Sequence, residues 1–135
     1  MKFRVVVVAL ILLLDIQLPA QKRPPMVYNL IVSCTCEDSV GKGYARALRD
    51  LIAKSPRYEA LSDTKENRKR ALLISVVTLP LGDDSQGSAT GAAISVVFVF
   101  DGAFVDQYVQ TCSEGVTSGC AQKTFDAIDD LLNKI

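Results

Sequence analysis

The sequence predicts an α+β domain, a mostly antiparallel sheet of about five strands with two helices on one face. Two long apolar stretches, residues 71–79 and 92–100, flank a loop of Gly, Asp and Ser, as in a β-hairpin. Two other stretches, 39–55 and 117–133, carry apolar residues at helical spacing. Because several strands follow one another without intervening helices, the order is β-α-β-β-β-β-α, which is typical of this class.

The first half of the domain is predicted to be strand, helix and strand. Residues 27–36 are rich in Val, Ile, Leu and Tyr, which favour a strand. Ser39 is the expected N-cap of the first helix, and Pro56 ends it. Residues 57–61 then form a short edge strand, and 65–70 form a charged connector. The apolar stripe of the helix consists of Val40, Tyr44, Ala47, Leu48, Leu51 and Ile52.

The second half is predicted to be three strands followed by a closing helix. The polar loop at residues 82–88 separates the two strongest strands, and Asp101 and Gly102 begin the turn to a third strand at 104–112. The helix at residues 117–133 carries one apolar face. That face consists of Ala121, Phe125, Ile128 and Leu132.

The amino-terminal residues indicate export. Two cations precede an unbroken apolar run from Val5 to Leu14, which is too short to span a bilayer but is typical of a signal peptide. We place cleavage after Ala20, followed by an extended lead at 21–26 and a single domain at 27–135. The expected location is periplasmic or secreted, with no transmembrane segment after signal removal.

One face of the predicted sheet lacks the expected polar residues. Alternation directs Leu72, Ile74, Val76, Ile94, Val96, Phe98 and Phe100 towards the helices. A solvated face of an antiparallel sheet should be polar, whereas the opposite face is largely apolar with small side chains. We expect it to bind another envelope protein, a second copy of the chain or the lead; alternatively, β-branched residues simply suit central strands. The candidate interface is Ser75, Val77, Ser95, Val97 and Val99.

The four cysteines form two kinds of pair. In an oxidising compartment we expect Cys112 and Cys120 to bond and to fasten the closing helix to the sheet. Cys34 and Cys36 share a strand face with Cα atoms about 6.6–6.8 Å apart, so a bond between them requires a bend or a strand end. This pair is a candidate thiol-redox site. Alternatively, both cysteines are buried small side chains, or they pair with cysteines elsewhere in the chain.

The start of the first helix is a candidate anion-binding site. Gly41, Lys42 and Gly43 follow a strand, and Arg46 adds a second cation. Free amides at a helix N-terminus favour anions. Alternatively, the glycines allow the helix to lie close to the sheet.

Charge and composition exclude several classes of function. Residues 42–70 carry nine cations and four anions, and residues 81–135 carry two cations and eight anions, so the domain is an electric dipole. The chain has no histidine and no tryptophan, which excludes a Ser-His-Asp triad and His-ligated metals. We therefore expect no enzymatic activity, no metal and no cofactor. A pI of about 6.2 argues against nucleic-acid binding.

A resemblance agrees with an envelope location. Leu48-Arg49-Asp50-Leu51-Ile52 and Ser55-Pro56-Arg57-Tyr58-Glu59 lead from a helix into a short strand. This arrangement is similar to the amino-terminal domain of TolB and related envelope adaptors, and the chain as a whole resembles small periplasmic proteins of Gram-negative bacteria. The resemblance implies contact with envelope proteins and carries over no functional residue.

The leading functional expectation is a non-catalytic envelope binding module that uses the second sheet face or an edge strand. The alternatives are a thiol-redox protein using Cys34 and Cys36, and a binder of a small anion at Gly41–Gly43.

Overall fold

The computed structural model describes residues 26–134. The predicted signal peptide and nearly all of the predicted lead lie outside these residues. The strands are β1 (Tyr28–Thr35), β2 (Tyr58–Ala60), β3 (Leu72–Asp83), β4 (Ala89–Phe100) and β5 (Ala103–Ser113), and the helices are α1 (Ser39–Lys54) and α2 (Thr117–Leu132). A short 3₁₀ turn, Asn67–Lys69, lies in the predicted connector.

The five strands form one mixed sheet in the order β2-β1-β3-β4-β5. β1 pairs in parallel with β2 and with β3, whereas β3 pairs antiparallel with β4 and β4 pairs antiparallel with β5. Most of the paired residues of the sheet are therefore in antiparallel pairs. Parallel neighbours require a crossover connection, and α1 supplies it between β1 and β2. The predicted α+β class and element order are confirmed.

Both helices pack on one face of the sheet and against each other. Alternation along β3 and β4 buries Leu72, Ile74 and Val76 together with Ile94, Val96 and Phe98, as predicted. Phe100 was expected to join them, but it is 50% exposed. It is the last residue of β4, and it lines an open cavity at the end of the sheet instead of contacting the centre of the core.

The first helix begins differently from the prediction. Asp38, not Ser39, is the N-cap of α1, and its carboxylate accepts hydrogen bonds from the Gly41 amide at 2.6 Å and the Thr78 hydroxyl at 2.5 Å. Burial raises the pKa of Asp38, but these bonds outweigh it and hold the pKa below its ordinary value. The cap thus ties the start of α1 to β3.

The β3–β4 hairpin is longer than predicted. β3 continues into the predicted loop as far as Asp83 and β4 begins at Ala89, so that the turn is confined to residues 84–88. The Asp84 carboxylate accepts from the amides of Gln86 and Ser88, and Gly87 has a positive φ of 77°. Because Thr35 at the end of β1 pairs with Val77, the rest of the hairpin extends beyond β1.

A buried polar cluster and a disulfide connect α2 to the rest of the domain. The Thr124 hydroxyl is hydrogen-bonded to Tyr44 of α1 at 2.5 Å and to Tyr108 of β5. Burial raises the pKa of Tyr44 far above its ordinary value, so its hydroxyl stays protonated. Cys112 is bonded to Cys120, with Cα atoms 6.1 Å apart, which confirms the predicted link between β5 and the first turn of α2.

Candidate functional site

The sheet face opposite the helices, hereafter the second face, consists of residues from β3, β4 and β5. Directly paired residues of antiparallel strands lie on the same side of a sheet, so the register defines the rows of this face. All five predicted interface residues lie on it. The five rows are Leu73, Val99 and Phe104; Ser75, Val97 and Gln107; Val77, Ser95 and Val109; Leu79, Ala93 and Thr111; and Leu81, Gly91 and Ser113.

The second face is largely apolar, and its outer rows and strands are open to solvent. Val77 is 45% exposed and Leu79 is 65% exposed on β3, while Phe104 and Val109 of β5 are 63% and 71% exposed. None of the fifteen residues in its five rows carries a charge. Contiguous apolar surface of this kind is typical of an interaction site.

The face has a shape as well as a polarity. On β4 the side chains of this face are small along three successive rows, at Gly91, Ala93 and Ser95. Beside these small residues, the β3 column carries Leu81, Leu79 and Val77. The face is therefore a ridge of Leu and Val side chains beside a shallow groove.

The connector between β2 and β3 covers the neighbouring strand β1 on the same side. Ile31 faces this side, since it pairs with Leu73, and it is only 1% exposed. The Arg68 side chain donates a hydrogen bond to the Asp63 carboxylate at 2.5 Å and holds the pKa of Asp63 below its ordinary value; Ser33 of β1 adds a smaller effect in the same direction, which places this end of the connector beside β1. The chain thus covers β1 itself and leaves the rows of β3, β4 and β5 open.

A separate pocket brings together two sets of residues that were predicted independently. Cys34 and Cys36 are joined as a disulfide at the end of β1, with Cα atoms 5.3 Å apart, and Thr35 is the last strand residue. They line a pocket of about 370 Å³ together with Lys42 and Arg46 of α1. The strand end thus allows the Cys34–Cys36 bond that a regular strand would disfavour.

The two glycines of the predicted anion site have structural contacts. The Gly41 amide donates to Asp38, and a Cβ at Gly41 would lie 2.8 Å from Thr78 Cγ2. A Cβ at Gly43 would lie at ordinary contact distance from Thr117 of α2, 3.6 Å away. The structure thus separates the glycines, which contact β3 and α2, from Lys42 and Arg46, which line the cysteine pocket. Anion binding at Gly41–Gly43 stays a prediction.

Sequence reasoning missed an apolar cavity of about 430 Å³ at the end of the sheet. Its lining includes Tyr28, Leu72, Phe100, Val105 and Leu132, with Arg70 at one side. An aromatic residue at the last position of a strand, such as Phe100, is a signal that could have indicated it.

Within residues 26–134, no three His, Cys, Asp or Glu side chains are grouped so as to hold a metal ion. Neither described helix has the length and apolar character needed to cross a membrane.

Comparison with known proteins adds little. No protein-family model and no curated protein matches the chain. Among solved structures, the chain is similar to an uncharacterized lipoprotein B from Nitrosomonas europaea, with 12% identity and a TM-score of 0.30, over 84% of this chain and 80% of that chain. A TM-score this low carries no argument about function, and the likeness to the TolB domain stays a prediction.

Proposed function

We propose that the protein is a non-catalytic binding module of the cell envelope, and that a second copy of the chain binds to its second face. The observation that carries this proposal is the set of uncharged, solvent-exposed rows on β3, β4 and β5. The envelope location is supported by the apolar leader and by the two cysteine pairs.

The shape of the second face is complementary to itself. In a twofold dimer, the same surface patch contacts its own copy. If the two sheets are offset by one strand, the Leu79 and Leu81 ridge of each copy lies over the Gly91, Ala93 and Ser95 groove of the other. Sheets that pack face to face interdigitate side chains in this way. No like charges oppose each other, because the rows contain none.

The area of the face sets the expected strength of association. In this arrangement only β3 and β4 of each copy overlap the other copy, and five rows about 6.7 Å apart on two strands about 4.8 Å apart cover about 320 Å² per copy. Two copies therefore bury about 640 Å², which is below the value of about 1,000 Å² for a stable specific interface. We expect a weak, reversible dimer that forms towards millimolar concentration, not a permanent one.

The test is sedimentation equilibrium of residues 21–135 and of Val109→Asp, from micromolar to near-millimolar concentration. Wild type should show a monomer–dimer equilibrium, and Val109→Asp should stay monomeric because it places a carboxylate beside Ser95, at the wall of the groove that the ridge of the other copy enters. Val116→Asp is the matched control, since Val116 is 55% exposed in the turn before α2 and lies away from the second face.

The control variant should dimerise like wild type, and circular dichroism should show that all three proteins are folded. A wild-type protein that stays monomeric over the whole concentration range would exclude a second copy as the partner. Equal dissociation constants for Val109→Asp and Val116→Asp would exclude the second face as the interface.

A further inference from the structure

The pocket beside Cys34 and Cys36 has a cationic wall. Lys42, Arg46 and Arg49 are spaced i, i+4 and i+7 on α1, so they lie on one side of the helix, and all three line the pocket. Arg49 is held over the strand, because its Nη2 donates to the Val32 carbonyl at 3.2 Å. Asp50 supplies the pocket's single carboxylate.

Within the described residues, neither Lys42 nor Arg46 of this wall forms an ion pair. The ion pairs among residues 26–134 join Arg57 to Asp129 and Arg68 to Asp63. The N-cap carboxylate of α1, that of Asp38, accepts hydrogen bonds from the Gly41 amide and the Thr78 hydroxyl. The pocket that Cys34 and Cys36 line therefore has an excess of positive charge.

Cations beside a cysteine stabilise its thiolate form, as does a nearby helix N-terminus. A stabilised thiolate is also a better leaving group in thiol–disulfide exchange, and it makes the corresponding disulfide more oxidising. Cys36 lies three residues before the first residue of α1, so both effects act at this site.

We propose that Cys34 and Cys36 form a thiol–disulfide exchange site that prefers thiols carrying negative charge. This activity is independent of dimer formation through the second face. The pocket, on the helix side of the sheet, takes an anionic thiol, whose charge the wall of α1 attracts.

Two thiols of the substrate supply the two electrons that reduce the Cys34–Cys36 bond. The thiolate of one attacks a sulfur of the Cys34–Cys36 bond, that bond breaks, and the other cysteine leaves as a thiolate beside Lys42 and Arg46. A second substrate thiolate then attacks the substrate sulfur of the mixed disulfide and releases the remaining cysteine. Two electrons pass to the cysteine pair, the protons of the two substrate thiols end on the cysteines, and the substrate becomes a disulfide.

The other disulfide is an internal control. Cys112 is 3% exposed and Cys120 is 7% exposed, whereas Cys34 and Cys36 are half-buried and line an open pocket. Exchange requires access of the attacking thiolate. Under mild thiol concentrations, the Cys34–Cys36 bond should therefore react while the Cys112–Cys120 bond stays intact.

The local sequence and the folded protein predict opposite charge preferences for the attacking thiol. Glu37 and Asp38 follow Cys36 directly, so a disulfide peptide of residues 32–38 is acidic and should repel an anionic thiol. Only the folded protein adds the cations of α1. The preference should thus reverse between the peptide and the protein.

The experiment measures the rate of Cys34–Cys36 reduction with mercaptopropionate, mercaptoethanol and cysteamine, which are anionic, neutral and cationic thiols. Trapping by rapid alkylation and peptide mass mapping distinguishes the two disulfides, and rates are normalised to the thiolate concentration of each reagent. In the protein, the anionic thiol should react fastest and the cationic thiol slowest, and salt should reduce the difference.

Removal of the cations should remove the preference. An exposed cation about 6 Å away changes such a rate about threefold in a water-like dielectric, so Lys42→Gln/Arg46→Gln should lower the anionic-to-neutral rate ratio about tenfold and the anionic-to-cationic rate ratio about a hundredfold. Lys54→Gln/Lys65→Gln is the matched control, since both lysines are exposed and lie outside this pocket. Its rate ratio should equal that of wild type.

Three results would overturn the proposal. The first is a rate ratio in the protein equal to that in the peptide. The second is an equal loss of preference in both double variants. The third is a Cys34–Cys36 bond that reacts no faster than the Cys112–Cys120 bond.

Discussion

Gly41 lies in the first turn of α1, where the helix backbone contacts the side chain of Thr78 on β3. A Cβ added at Gly41 would lie 2.8 Å from Thr78 Cγ2 and 2.9 Å from Asp38 Oδ2, and it would also meet Thr78 Oγ1. Thr78 is only 7% exposed, and its hydroxyl donates to Asp38. It cannot move away without breaking the hydrogen bond that holds the capping carboxylate of Asp38 in place.

The expected cost of Gly41→Ala follows from these contacts. In a helix, alanine is ordinarily more favourable than glycine by about 0.5–1 kcal/mol. Overpacking of a close contact costs about 1–3 kcal/mol, so we expect a net loss of about 1–2 kcal/mol of unfolding free energy. Gly43→Ala is the matched control. Its Cβ would lie 3.6 Å from Thr117, an ordinary contact, so it should gain about 0.5–1 kcal/mol.

Urea unfolding measures both changes. The midpoint should fall for Gly41→Ala and rise for Gly43→Ala, with unchanged m-values. In a Thr78→Ala background, the cost of Gly41→Ala should shrink, because residues in contact are energetically coupled. The reasoning fails if Gly41→Ala is as stable as wild type, or if its cost is the same with and without the Thr78 side chain.

Two further predictions concern the helix cap and the second disulfide. Hydrogen bonds hold the pKa of Asp38 below its ordinary 3.8 in the folded state. The stability that its charge provides should therefore be complete above pH 3.8 and lost as the pH falls through the folded pKa. Urea unfolding of wild type and Asp38→Asn should converge at acidic pH, and a constant difference would contradict this. Cys112→Ser/Cys120→Ser should lose about 2.6 kcal/mol in the same assay, from the chain entropy of a nine-residue ring; a loss below about 1 kcal/mol would refute the constraint.

Local patterns predicted the elements and their buried sides. The alternation of Leu72, Ile74 and Val76 identified the strand face under the helices, because side chains of a strand alternate with a period of two. The same alternation grouped Val77, Val97 and Val99 on the opposite face. Sequence spacing also paired Cys112 with Cys120, since eight residues can turn from a strand into a helix.

Contacts between distant residues were beyond local patterns. Ser39 was predicted as the N-cap because it is a good capping residue, but Asp38 takes the role with help from Thr78, 40 residues away. The packing of α1 over the end of β1 likewise determines that one pocket is lined by Cys34, Cys36, Lys42 and Arg46. Such contacts require the tertiary fold.

Chain topology explains why the side of the sheet opposite the helices is covered over β1 and open over β3, β4 and β5. α1 carries the chain from β1 outwards to β2 on the helix side of the sheet. The connector then returns from β2 across β1 to β3, which is the opposite direction, so a right-handed crossover must pass on the opposite side. The burial of Ile31 and the influence of Ser33 on the pKa of Asp63 agree with that path. β4 and β5 follow through short antiparallel turns that do not cross this side of the sheet, so the described chain leaves their rows open.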